Sequence, residues 1–112
     1  MARTTFSGPV ASDNGFIAGT GNTVTGVLTA TSTIDFPSIS ANTTSDSSGI
    51  TVTGASVGDA VMVGAPAAIE SGLVVTAYVS AANTVKVRAA NVTASPINPA
   101  SGTFRVVVVK VA

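Results

Sequence analysis

The chain has 112 residues, of which 46% are apolar, only 9% charged and 4% aromatic, and its five basic and five acidic residues cancel. That length suits one domain with one core, and a charge balance of zero argues against nucleic-acid binding, which needs a basic patch. So low a charge favours association over life as a free monomer.

Residues 1–22 read as an extended N-terminal arm. Gly8-Pro9, Asp13-Asn14-Gly15 and Gly19-Thr20-Gly21 break any regular element. Yet Phe6, Val10, Phe16 and Ile17 are spaced along it, and a disordered tail would not usually carry two of the four phenylalanines. These four are candidates to dock the arm on another surface; the alternative is an edge strand folded back on its own domain. Met1 to Pro9 lacks the apolar core of a signal peptide, so synthesis in the cytoplasm without a secretion signal is expected.

Residues 23–112 read as the β domain. Val24 to Thr29 is a candidate strand, and Thr33-Ile-Asp-Phe-Pro37 alternates with Ile34 and Phe36 on one face. Ser38 to Ser48 reads as a loop. Ile50 pairs with Val52 and Val61 with Val63. Gly64 to Gly72 is a connection with room for one helical turn. Leu73, Val75, Ala77 and Val79 share a face, leaving Val74 and Thr76 opposite. Ser80 to Asn83 turns the chain, and the next strand buries Val85 and Val87 while exposing Lys86 and Arg88. Ala94 to Gly102 is a Pro/Gly loop. The pattern indicates an all-β fold: a single small β-sandwich or jelly-roll-like domain of about seven or eight strands.

The last strand, Thr103 to Val111, poses a question. One face carries Phe104, Val106, Val108 and Lys110, the other Arg105, Val107, Val109 and Val111. A sheet packed on one side needs only one apolar face. Either another copy of the chain covers the second one, or the strand is central between two sheets, or the arm lies over it. The first makes Val107, Val109 and Val111 a candidate subunit interface, to which Val74 and Thr76 could add.

Chemistry is sparse. Without histidine there is no triad and no imidazole metal ligand; without cysteine there is no disulfide or thiolate site. The acids Asp13, Asp35, Asp46, Asp59 and Glu70 are scattered singly. Asp59 and Glu70 could in principle pair, though loop acids more often serve turns and caps. Asp46-Ser-Ser-Gly49 lacks the repeated acids of a calcium loop. Gly19-Thr-Gly21 leads into a strand, not into a phosphate-binding helix. With no Trp and only Tyr78, a glycan or single-stranded nucleic-acid platform is weak. Asn42-Thr-Thr44 and Asn91-Val-Thr93 match the glycosylation sequon and read as chance in a Thr-rich chain. The longest strictly apolar run, Val106 to Val109, is too short for a membrane helix. No enzyme, cofactor, metal, nucleic-acid or membrane role is expected.

Thr4-Thr-Phe-Ser-Gly-Pro-Val10 with Ser12-Asp-Asn-Gly-Phe16 resembles the opening of small virion proteins of tailed bacteriophages, cyanophages among them. Val57 to Pro66 and Gly72 to Ser80, continued by Asn83 to Arg88, Asn91 to Thr93 and Pro99 to Arg105, resemble a β module of the same proteins. The chain is almost only arm plus module, without a fibre shaft, which favours the capsid surface. The resemblance implies a decoration, or cement, protein: a homotrimer bound to the major capsid protein on the outside of the virion. The alternatives are a head-fibre or tail-fibre tip that binds the host surface, and an amyloid-like filament subunit.

Overall fold

A computed structural model describes residues 3–112; Met1 and Ala2 of the expected arm lie outside the described residues. The strands are β1 (Val24–Ile34), β2 (Thr44–Asp46), β3 (Ile50–Thr51), β4 (Ala60–Gly64), β5 (Leu73–Ala81), β6 (Thr84–Asn91) and β7 (Gly102–Val111). All pairings are antiparallel. Among the described residues there is no helix, so the fold is all-β. Gly64 to Gly72, where a helical turn had room to form, holds only turns and extended chain beyond β4.

Two sheets share the work. The first has the order β1-β7-β4. The second is centred on β6, with β5 on one edge and β2 and β3 in succession on the other. Ser47 bridges the gap between β2 and β3. Its backbone N–H donates to the Val87 carbonyl at 2.8 Å and its hydroxyl accepts from the Val87 N–H at 3.0 Å. A side chain thus replaces the missing ladder partner, because a buried N–H left unpaired is costly. Sequence reading placed all of Ser38 to Ser48 in a loop; β2 hides there because Thr44-Ser-Asp46 has no apolar alternation to reveal it.

Both sheets turn valines toward a common core, in a β-sandwich-like arrangement. Val106 and Val108 come from β7, Val85, Val87 and Ala89 from β6, and Ile34 from the end of β1. Each fully buried valine contributes about 1.5–3 kcal/mol of burial free energy. Phe36 and Phe104 meet edge to face, with centroids 5.9 Å apart and planes at 84°, and close one end of the core. Sequence reading placed a strand at Val24 to Thr29 and a separate alternating piece at Thr33 to Pro37. One 11-residue strand, Val24–Ile34, joins them, its alternation unbroken from Gly26 to Ile34, and Phe36 lies just past its end.

Asn91, 1% exposed, is the polar pin of the second sheet. Its amide nitrogen donates to the carbonyls of Ile39 (3.0 Å) and Ser95 (2.8 Å). Its amide oxygen accepts from the Thr93 N–H (2.9 Å) and hydroxyl (2.7 Å). All of its donor and acceptor capacity is used to fold the 92–98 loop back onto the Ile39–Ile97 bridge. A side chain so enclosed leaves the Asn91-Val-Thr93 sequon without access for a glycan. Replacing Asn91 by alanine strands these partners together. We expect Asn91→Ala to lose about 2–3 kcal/mol of stability in urea unfolding; a loss under about 0.5 kcal/mol would show that the loop holds itself.

Candidate functional site

The candidate site grows out of β7. Phe104, Val106 and Val108 fill the core, so the alternation of a strand sends Arg105, Val107, Val109 and Val111 to the opposite face. Because β7 is paired on both edges, its outward residues become the middle column of a three-strand lattice. One row is Val27, Val109 and Ala60; the next is Thr29, Val107 and Met62; the third is Thr31, Arg105 and Gly64. Val27 is 54% exposed, Met62 59% and Val111 65%, while Val107 and Val109 are half-buried by their neighbours. Among the described residues, the second sheet packs on the opposite side of β7, and the arm residues Val10 and Phe16 reach only a slot beside Val24 to Val27.

A shallow groove of about 430 Å3 runs along this face, lined by Thr29, Ala30, Thr31, Arg105, Val106 and Val107. Lys110, expected beside Phe104, Val106 and Val108, is indeed on the inward side. At the rim of the core its ammonium donates to Asp59 at 2.6 Å and to the Ser56 hydroxyl at 3.3 Å. Arg105 is therefore the only charged residue of β1, β4 and β7 on the outward lattice. Contiguous exposed apolar surface of this kind marks an interaction site.

The arm begins where the apolar end of that face stops. Phe16 and Val24 form an isolated antiparallel bridge, with N–H to carbonyl distances of 3.0 and 2.8 Å. Val24 in turn pairs with Val111. Just before the bridge, Gly15 adopts φ +85°, and a Cβ there would strike the Val24 carbonyl oxygen. Only glycine fits. The Ser12 hydroxyl donates to the Gly15 carbonyl at 2.6 Å and tightens the turn. Beyond that turn, among the described residues, no backbone hydrogen bond joins residues 3–11 to the rest of the chain. Phe6 is 65% exposed, Val10 64%, Phe16 55% and Ile17 58%. Between arm and β1 lies a slot of about 250 Å3 lined by Val10, Ser12, Gly15, Phe16 and Val24 to Val27.

The outer face of the second sheet is the opposite in character. The Arg88 guanidinium donates to both Asp46 oxygens (2.7 and 3.0 Å) and lies 4.7 Å from the centroid of the Tyr78 ring. The Tyr78 hydroxyl donates to Asp46 at 2.6 Å. Hydrogen bonds from Arg88 and then Tyr78 hold the Asp46 carboxyl at about 2, below its ordinary 3.8. The same contact with Asp46 raises the Tyr78 hydroxyl and the Arg88 guanidinium. On this face Asp46, Arg88 and Tyr78 satisfy one another. Val74 and Thr76 belong to it, so they lie apart from Val107, Val109 and Val111 and do not extend that surface.

Of the remaining acids, Asp59 and Glu70 are also engaged locally. Asp59 takes Lys110 and the Ser56 N–H, which lower its pKa in that order, and Glu70 accepts from the Ala100 N–H at 2.8 Å. The two have no partner in common. Among the described residues there is no cluster of three or more potential metal-ligating side chains, and no helix long and apolar enough to cross a membrane. Sequence reasoning missed Val27 and Met62 as parts of the surface. The signal was present for Met62, which alternates out of phase with Val61 and Val63; what was missing was the pairing of β4 and β1 with β7. Compared with family models, with curated proteins and with solved structures, the chain matches none.

Both lowered carboxylates have folded-state pKa values below those of the unfolded chain. The stability they contribute is therefore present above about pH 4 and lost as pH falls through their lowered folded-state values, about 2 for Asp46. Unfolding midpoints measured at steps between pH 5 and 2 should fall through that window. The Asp46→Asn variant should start lower and fall less. An equally steep fall in that variant would show that Asp46 does not carry the acid sensitivity.

Proposed function

We propose that this chain is a structural virion protein of a tailed bacteriophage, which binds the outer surface of the capsid as a homotrimer and stabilises the shell. The observation that carries the reading is the exposed outward lattice of β1, β7 and β4, nearly free of charge, next to an arm whose apolar side chains Phe6, Val10, Phe16 and Ile17 are each more than half exposed. The sequence likeness of the arm and the β module to phage virion proteins supplies the context. Val107, Val109 and Val111 are assigned to the trimer interface, and Phe6, Val10, Phe16 and Ile17 to contacts with a neighbouring subunit or the major capsid protein.

The mechanism needs no chemical step. A protein that binds only the assembled, expanded lattice stabilises it by mass action, as any ligand of the native state does. Three linked subunits engage three footholds together, so weak contacts add up to lasting occupancy. The self-contained polar network of Asp46, Arg88 and Tyr78 suits a face turned to solvent.

Two measurements test this reading. The first is native mass across a concentration series: a trimer is expected for the full chain. Val109→Asp, which buries an unpaired carboxylate at the interface, should weaken association about 100-fold or more. An unchanged trimer in that variant places the interface elsewhere. The second is co-sedimentation with expanded capsids that lack the protein, where saturation in multiples of three and a higher shell-disruption temperature are expected. Binding to host cells and not to capsids would instead identify a fibre-tip module.

A further inference from the structure

We infer that the outward face of β1, β7 and β4 in one copy is covered by the N-terminal arm of the next copy, so that the oligomer is held together by exchanged arms. This deepens the reading that Val107, Val109 and Val111 meet another subunit, and it rests on that reading.

Four observations lead to a second copy as the occupant. First, one chain carries both halves of the contact: apolar arm side chains left more than half exposed (Phe6 and Val10) and an apolar surface whose side chains are exposed (Val27, Met62) or half-buried (Val109). One arm and one face per chain is the stoichiometry of a head-to-tail interface, which closes into a ring when the rotation allows.

Second, the lengths agree. Residues 3–12, fully extended, reach about 33 Å. The ten residues of β7 span about 34 Å. The arm can therefore run the length of the lattice.

Third, the arm is only loosely held by its own domain: Val10 and Phe16 line a slot with Val24 to Val27, but among the described residues no backbone hydrogen bond joins residues 3–11 to the rest of the chain. The Phe16–Val24 bridge is a single antiparallel pair that does not continue along β1. The turn at Ser12 to Gly15 follows it, and only a glycine at position 15 permits that turn against the Val24 carbonyl. The chain is correspondingly drawn out: its radius of gyration is 17.2 Å and its longest extent 56 Å, against a radius of about 13 Å for a compact chain of this length.

Fourth, charge does not oppose the contact. The described arm carries only Arg3 and Asp13, and the face only Arg105. Asp13, beside the turn, and Arg105, in the row farthest from Val111, leave the valine rows free for the apolar residues of the arm.

The chain contains no cysteine, which makes the test direct. The full-length double variant Phe6→Cys with Met62→Cys, and the second pair Phe6→Cys with Val27→Cys, are oxidised mildly and run on a denaturing gel. All three positions are exposed, so folding should survive the changes. Arm exchange predicts that at least one pair gives a disulfide-linked ladder ending at the native ring size, reversed by reductant. The single variants should stop at dimers. An intrachain product of monomer mass would overturn the proposal, because the arm then covers its own face. So would the absence of any product from both pairs in a protein that is still oligomeric, since the faces, or the free edges of β1, would then meet without the arm. Capsid binding is scored separately. A cross-linked ring that ignores capsids sinks the decoration reading alone, and a capsid-binding protein that does not cross-link sinks arm exchange alone.

Discussion

Everything in this fold depends on β7 being paired on both edges. A strand in that position has no free edge, so its alternate side chains must go either into the core or out through the middle of the sheet. Phe104, Val106 and Val108 are fixed inward by the core they fill with Val85 and Val87. Val107 and Val109 are then fixed outward, and a slip of one residue would exchange the two sets. The register with β1 and β4 multiplies the effect, since each outward valine is flanked by whatever those strands present at the same level. Val27, Ala60 and Met62 are apolar there, and Thr29 offers a methyl group. The apolar surface is thus a consequence of core packing plus register, and no single residue creates it.

The two outer faces show how a chain of zero net charge distributes its few charged residues. On the second sheet, Asp46, Arg88 and Tyr78 form a closed set in which every charged group has a partner of opposite sign or a hydroxyl. Asp59 and Lys110 neutralise one another at the rim of the core. What is left for the outward lattice of the first sheet is Arg105. A charge balance of zero says nothing of this arrangement. Exposed ion pairs add little stability individually, so their consequence here is mainly one of character: one face is finished and the other is bare.

How much of this was legible in the sequence follows from where the alternation was clean. Val85 and Val87, Leu73 to Val79, and both faces of 104–111 could be read from period two alone, and they stand in the structure as read. β2 could not, because a three-residue polar strand held by Ser47 and its pairing with β6 has no periodic signature. The acids were legible as turn and pairing residues, but their partners were not: Asp46 and Arg88 are 42 positions apart and meet only because β2 lies beside β6. For the candidate site, the valine column and the exposed arm residues were visible in advance. Val27 and Met62 were not, since strand order is a property of the whole chain.

The arm and the bare face are best understood together. An exposed apolar sheet face is a liability, because it invites association without choosing a partner. Natural sheets answer that with charge, and this one carries a single arginine, at the end of the lattice distant from Val111. The side chains nearest the root of the arm, Val24, Val27, Val109 and Val111, are all valine. A continuous apolar path therefore leads from Phe16 onto the lattice, and the glycine turn at 15 redirects the chain just before that path begins. A sequence under selection only to avoid association would need neither feature. Under the assembly proposed above both have a use: the lattice is a surface to be covered, and the arm is a segment able to cover it.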